Sequence, residues 1–298
     1  MGVVALRRRS MDSSNALTSA NIRFHLFRTL VLPMLPMLPD APAQQVPPPV
    51  VIGAHGGSGT RVLPRALRLA GFWMGSWVNP RTEDAMSTRF FLQRYFEQAM
   101  ADEPAQRVEL ERLFRALIRG HRVRMPDPSS AWGWKNPRSM WVIPFLARLY
   151  PGMRFIHLVR DGRDVALSKN LNLLRKHGTW LLGEQSPEAD PVRSQLRLWA
   201  LGNAIAARDG KRLLGDNYLH LSYEALCWAP RETLARMYDH VGQSVSRPML
   251  DRAQQLVVPP SSINAWRNSE HECLHQPNPE ISAVLRRFGY STEGAESV

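Results

Sequence analysis

Val50-Val51-Ile52-Gly53-Ala54-His55-Gly56-Gly57-Ser58-Gly59-Thr60-Arg61 is the stretch on which the fold turns. It opens with a β-branched run and passes into a loop carrying Gly56, Gly57 and Gly59. Beyond the loop, Leu63, Ala66, Leu67 and Ala70 stand at i, i+3, i+4 and i+7. The first part has strand character and the last has the period of an amphipathic helix, so the unit reads strand, Gly-rich loop, helix. Such a loop presents backbone N–H groups to an anion at the positive end of a helix. The glycines let the backbone approach closely, Ser58 and Thr60 add hydroxyl donors, and Arg61 adds charge. An ordinary tight turn between strand and helix accounts for the same glycines.

The loop departs from G-x-x-x-x-G-K-[ST] in an informative way. With Gly59 at the second glycine position, Ala54 takes the first, Thr60 stands in place of Lys, and Arg61 in place of the magnesium-binding hydroxyl. The parts that hold a Mg²⁺-bound triphosphate are missing, and the loop suits a nucleotide without a γ-phosphate.

Two further units repeat the pattern. Phe155-Ile156-His157-Leu158-Val159 reads as a strand, turns at Arg160-Asp161-Gly162 and continues as helix from about Arg163, with Ser168 two turns inside it. Tyr218 to Leu221 reads as a third strand, followed by a helix with Leu234, Met237, Tyr238 and Val241 on one face. Residues 90–120 and 190–210 read as more helices, and 170–190 as an ambiguous segment, a candidate mobile loop near the site. Strands alternating with helices give an α/β fold, a three-layer sandwich around a central parallel sheet. Ligands of such sheets bind at the carboxyl ends of the strands, where Arg160 lies. Arg160 and Ser168 there suit a second phosphate, while Arg163, Asp164 and Asp161 read as a solvated turn with capping salt bridges. His157 reads as a satisfied core histidine.

The run Arg154 to Ser168 resembles the 3′-phosphate-binding segment of sulfotransferases that use 3′-phosphoadenosine-5′-phosphosulfate (PAPS), and Gly57-Ser58-Gly59-Thr60-Arg61 resembles that family's 5′-phosphosulfate loop. The resemblance extends over residues 50–290 and implies a P-loop-like nucleotide-binding fold, with PAPS as donor, 3′,5′-bisphosphate (PAP) as product and no metal. It assigns Gly57, Ser58, Gly59, Thr60 and Arg61 to the 5′-phosphosulfate, and Arg160 and Ser168 to the 3′-phosphate. Ser222-Tyr223-Glu224 resembles the family's Tyr-Glu pair, which puts Tyr223 against adenine. Ile263-Asn264-Ala265-Trp266-Arg267 resembles its C-terminal loop, which brings Trp266 and Arg267 over the nucleotide. Trp134-Lys135-Asn136-Pro137 resembles its Lys-containing strand end, and Trp199 and Asn203 lie one helical turn apart as on a helix it often shows.

Sulfuryl transfer needs cations on the leaving phosphate and the sulfuryl oxygens, and a base for the acceptor proton. Lys135 and Arg61 are the candidate cations. Many family members carry Lys or Arg where this chain has Gly57, which leaves the leaving-group cation open between Arg61 and Lys135. Some carry a base His where this chain has Pro137; others use a Glu after the first helix, where Glu83 and Asp84 lie. Glu83 is favoured over Asp84, with helix capping as their other reading and His55 as a weaker base candidate.

The chain has 298 residues, 44% of hydrophobic type, enough for one large α/β domain. The expected division is a disordered, basic and Pro-rich extension over 1–49, a sulfotransferase domain over 50–290 and a tail over 291–298. The apolar run Leu30 to Leu38 contains two prolines and falls short of the about 20 residues of a membrane helix, so no membrane span is expected. A soluble, cytoplasmic enzyme follows as the expectation, although the Arg7-Arg8-Arg9 terminus also suits a targeting segment. Two cysteines without metal-ligand spacing exclude a disulfide scaffold and a structural zinc site. A net charge of +12 favours anionic partners. Competing readings are a P-loop kinase of a small molecule and a non-catalytic polyanion-binding module, but nucleic acid is not an expected partner. The acceptor (carbohydrate, lipid or small molecule, through a hydroxyl or an amine) and the oligomeric state are not legible. Trp73, Trp77, Trp132 and Trp134 suit stacking on an acceptor or packing in the core.

Overall fold

The computed structural model describes residues 46–185, 187 and 189–292. Four parallel strands form one sheet: β1 (Val50–Ala54), β2 (Gly133–Lys135), β3 (Arg154–Val159) and β4 (Tyr218–Ser222), in the order β2-β1-β3-β4. Val51 pairs with Trp134 on one side and Phe155 on the other, and Phe155 with Tyr218. All five residues of β1 are buried, as expected of a central strand covered on both faces.

The two-residue period of the strands decides which helices go where. Val50, Ile52, Ala54, Ile156, Leu158 and Leu221 share one face. Against it pack α1 (Val62–Leu69), α8 (Tyr223–Trp228), α9 (Pro230–His240) and α10 (Arg247–Gln254), through Leu63, Leu67, Leu226, Leu234, Met237 and Ala253. Val51, Trp134 and Phe155 point the other way, toward α2 (Met86–Ala101), α3 (Pro104–Arg122), α4 (Ile143–Leu149) and α7 (Pro191–Leu214), with Phe91, Phe96, Phe114 and Phe145 at the centre. The expected three layers are therefore present. A third cluster covers the end of β3: Val165 of α5 (Gly162–Ala166), Trp199 of α7, Leu274 of α11 (Glu272–His275) and Leu285 of α12 (Pro279–Arg287). Among the described residues, no helix is long and apolar enough to cross a membrane.

Several expectations need correction. The segment 170–190 is not a loop over most of its length: Asn172–Leu182 forms α6, with Leu174 and His177 buried and Gly183 ending it in the left-handed conformation. Helix α5 stops at Ala166, so Ser168 lies just past it, where its N–H closes the turn onto the Val165 carbonyl at 3.0 Å. Arg163, Asp161 and Asp164 are buried rather than solvated. Asp161 does cap α5, accepting from the Arg163 N–H at 2.9 Å, and its carboxylate pairs with the Arg163 guanidinium at 2.7 Å.

Of the N-terminal extension, residues 1–45 lie outside the described residues. Its last residues touch the sheet: the Pro47 carbonyl accepts from Trp132 Nε1 at 2.7 Å and the Pro49 carbonyl from the Arg154 N–H at 3.0 Å. His157 is a satisfied core histidine. Its Nε2–H donates to Asn203 Oδ1 at 3.0 Å, which leaves Nδ1 to accept from Tyr218 Oη at 2.6 Å. Burial holds it neutral, at about 3. Trp132 and Trp134 are core residues.

Candidate active site

The carboxyl ends of the strands gather the predicted residues into two adjoining groups. The first surrounds the glycine loop between β1 and α1. Gly57 and Gly59 have φ of 94° and 74°, a region open to glycine at no steric cost. A Cβ on Gly59 would lie 2.1 Å from the Tyr223 ring, so the absence of a side chain lets Tyr223 pack on the loop. A Cβ on Gly57 would come within 3.5 Å of Ser168 Oγ. Arg160, at the end of β3, reaches the Gly57 carbonyl at 3.5 Å and lies over the Tyr223 ring at 5.3 Å. Gly57, Gly59, Arg160, Ser168 and Tyr223 thus converge, and Ser58 and Thr60 are buried among them in the loop.

A nucleotide carrying phosphates fits what this group lacks. Ser58 Oγ and Arg160 Nε are buried and have no hydrogen-bond partner among the described residues. An unpaired buried donor costs about 1–3 kcal/mol, and a ligand that brings a phosphate to each would remove that cost at both. The α1 N terminus carries no side-chain cap and no acidic residue in its first turn, so its partial positive charge adds to theirs.

The C-terminal segment closes this group from one side. Ser262 accepts from Arg160 Nη2 through its carbonyl at 2.7 Å and its hydroxyl at 3.0 Å. Asp164 accepts from the N–H groups of Asn264 at 2.8 Å and Trp266 at 3.1 Å. Burial raises the Asp164 pKa against the pull of these bonds and of Arg160. Trp266 is buried between two guanidiniums, Arg163 at 3.6 Å and Arg267 at 4.8 Å from its ring centre. Arg267 itself is exposed, and its guanidinium lies over Trp266. Glu224 ties the segment down, accepting from the Asp161 N–H at 2.9 Å and from Tyr290 Oη at 2.8 Å.

The second group centres on Lys135 at the end of β2. Its ammonium is almost fully buried and donates to Asp84 Oδ1 at 2.7 Å and the Thr82 carbonyl at 2.8 Å. Burial lowers its pKa, opposed chiefly by Asp84. The loop that delivers Asp84 is shaped by Asn79, whose side chain accepts from the N–H groups of Arg81 and Thr82. Glu83 adopts a left-handed φ of 60°, and its carboxylate is held by Arg65 at 3.0 Å and Arg68 at 2.6 Å. Burial pushes the Glu83 pKa up, but its bonds and charges from Arg68 and Arg65 outweigh this and the net shift is down. Neither acid caps α2, which starts behind Ala85 without a side-chain cap. Arg61 is exposed and reaches the Arg81 carbonyl at 3.4 Å, and its charge is felt at Lys135. His55 donates through Nδ1 to the Gly56 carbonyl at 3.0 Å, and burial lowers it to about 4, so the ring is neutral.

The Glu83 clamp has a pH signature. A folded pKa below the unfolded one means stability that is present above the ordinary carboxylate range and is lost as pH falls through the folded value. Glu83→Gln is expected to cost about 1 kcal/mol at pH 7, about 2 °C in melting temperature, since both arginines are partly exposed. Melting curves of the two proteins should converge as pH falls below the carboxylate range. An unchanged gap at pH 3 would remove the ion pairs from the explanation.

Ser262 had no role in the sequence reading, Asp164 was read only as part of a solvated capping turn, and Glu224 only as one half of the Tyr-Glu pair. Asp164 and Glu224 lie inside stretches that resemble family segments, but nothing in the residue pattern shows that their partners are a hundred or sixty residues away.

A parallel sheet with a glycine loop after its first strand, and with Arg160 and Lys135 at its carboxyl ends, is the arrangement of a P-loop-like α/β protein. The chain belongs to the sulfotransferase family, whose sequence model matches residues 49–247. It is 21% identical over 252 residues to protein-tyrosine sulfotransferase A of Caenorhabditis elegans, covering 78% of this chain and 60% of that relative's length. Solved structures share the fold. The sulfotransferase domain from the curacin biosynthetic pathway is 16% identical with a TM-score of 0.52, covering 83% of this chain and 99% of the domain. Sulfotransferase STF9 from Mycobacterium avium is 14% identical with a TM-score of 0.53, covering 92% and 82%.

Proposed function

We propose that this protein transfers a sulfuryl group from PAPS to a hydroxyl or amine acceptor. The observation that carries the reading is the pair of buried donors without partners among the described residues, Ser58 Oγ and Arg160 Nε, at the ends of adjacent strands. In this reading Gly57, Ser58, Gly59, Thr60 and Arg61 hold the 5′-phosphosulfate. Arg160 and Ser168 hold the 3′-phosphate, and Tyr223 borders the base. Trp266 and Arg267 belong to the segment that closes over the nucleotide. PAPS, when bound, supplies the sulfuryl group: its sulfur–oxygen bond to the 5′-phosphate breaks as the acceptor's bond to sulfur forms.

The chain's own residues supply charge and a proton acceptor. Lys135 and Arg61 face the negative charge that builds up on the leaving phosphate and the sulfuryl oxygens. The acceptor proton goes to a carboxylate, and Asp84 is the better placed of the two acids. It contacts Lys135, whereas Glu83 is taken up by two guanidiniums that lower its basicity. Glu83 then acts as a positioning residue, holding the loop that presents Asp84.

Calorimetric titration with PAP, ADP and ATP–Mg²⁺ tests the donor site. PAP is expected to bind without metal, more tightly than ADP, and Arg160→Ala should weaken it by about 10²-fold, the value of one charge-assisted contact to phosphate. ATP–Mg²⁺ binding as tight as PAP, and indifferent to Arg160, would overturn the reading in favour of a kinase.

A further inference from the structure

Around the Lys135–Asp84 pair, three neighbouring elements each carry a cation. Arg138 lies three residues beyond Lys135, in a 3-10 helix over Pro137–Trp141, with its N–H on Asn136 Oδ1 at 3.0 Å. Arg89 lies in the first turn of α2, which is joined to β2 by the Ala85 N–H on the Lys135 carbonyl at 2.9 Å. Lys176 lies on α6, which docks on α2 through its neighbour His177. The ring of His177 packs on Phe96 at 4.7 Å, and its Nδ1 meets Glu97 Oε1 at 3.2 Å.

We propose that Arg89, Arg138 and Lys176 form a subsite for a negatively charged group on the acceptor, next to Asp84. The inference rests on the sulfuryl-transfer reading and adds the substrate class: an acceptor carrying a carboxylate, or a tetrahedral anion, close to the atom that is sulfated.

Four observations support it. The cations oppose one another: burial and the neighbouring Arg89 charge hold the Arg138 pKa down, and burial with the charges of Arg138 and Arg89 holds that of Lys176 down. The carboxylate that acts on Arg138, Asp84, is already paired with Lys135 at 2.7 Å, so among the described residues the repulsion is only partly relieved. Arg138 Nε is buried and without a partner among the described residues, a donor left for something outside the chain. The three also grade outward, from half-buried Arg138 and Arg89 to exposed Lys176, as a funnel from solvent to Asp84 would. Like charges gathered in a partly buried place are costly unless a shared anion compensates them.

Citrate and inorganic sulfate serve as probes, titrated calorimetrically into protein with and without PAP. Saturable citrate binding is expected. It should weaken about tenfold in Arg138→Gln and in Lys176→Gln, the low end for a charge-assisted contact because both side chains reach solvent. Arg247→Gln, an exposed arginine of α10 on the opposite face of the sheet, should leave it unchanged. Equal binding of sulfate identifies the group as any compact anion, and preference for citrate identifies it as a carboxylate. Lys176 is exposed, so its variant keeps the test alive if Arg138→Gln fails to fold. Absence of saturable citrate binding, or the same affinity in all four proteins, overturns the subsite. If PAP still binds in that case, the donor reading survives. If PAP fails to bind while citrate does, the donor reading fails and the anion subsite stands.

Discussion

Lys135→Met is expected to lower the turnover of PAPS by about 10²- to 10³-fold, with PAP affinity changed only a few-fold. The ammonium is buried at the end of β2, and its nearest anion is Asp84 at 2.7 Å. In a site sheltered from water, a fixed cation aimed at developing charge acts mainly in the transition state. Hydrolysis of PAPS to PAP and sulfate measures this without an acceptor, since water takes its place. The variant also leaves Asp84 without its partner, which costs up to about 3 kcal/mol in stability. The double variant Asp84→Asn/Lys135→Met removes that penalty and should regain much of the stability and none of the activity. Turnover within tenfold of the parent in Lys135→Met would pass the leaving-group role to Arg61.

The second large effect concerns Gly59. Its φ of 74° costs an alanine about 1–2 kcal/mol, and the added Cβ would meet the Tyr223 ring at 2.1 Å. Overpacking of that kind costs about 1–3 kcal/mol more. Gly59→Ala is therefore expected to lose about 2–5 kcal/mol of stability, and PAP affinity by more than tenfold because the loop backbone must move. Adding Tyr223→Ala relieves the collision but not the dihedral strain, so stability should return only in part. If Gly59→Ala binds PAP as the parent does, the loop is not the phosphate cradle.

The strand–loop–helix unit was legible because Val50, Val51 and Ile52 are β-branched and Leu63, Ala66 and Leu67 keep the helical period. The order β2-β1-β3-β4 was not, since β2 is three residues long and its Gly133-Trp134-Lys135 has no strand signature. Periodicity also failed at α6, where Gly178 and a Lys-His pair interrupt an apolar stripe. That helix owes its place to packing of Leu174 and His177 rather than to its own pattern. In the candidate site, the place of Gly57 to Arg61, Lys135 and Arg160 at strand ends was readable by residue type and position. The division of labour between Glu83 and Asp84 was not: it depends on Arg65 and Arg68 facing the same turn of α1 toward Glu83, and on its left-handed backbone. The burial of Arg163 and Asp164 escaped for the same reason, since their partners Trp266 and Asn264 are about a hundred residues away.

Those distant partners matter while the chain is being made. Arg160 is bonded to Ser262, Asp164 to Asn264, and Glu224 to Tyr290, across 102, 100 and 66 residues. At about 5–20 residues per second, a ribosome makes Ser262 roughly 5–20 s after Arg160. For that interval the emerging chain holds its glycine loop and Arg160 without the segment that anchors them. The nascent protein is therefore a sheet with an unfinished mouth, and Arg160, Asp164 and Glu224 gain these anchors only once the last eighth of the chain has left the tunnel.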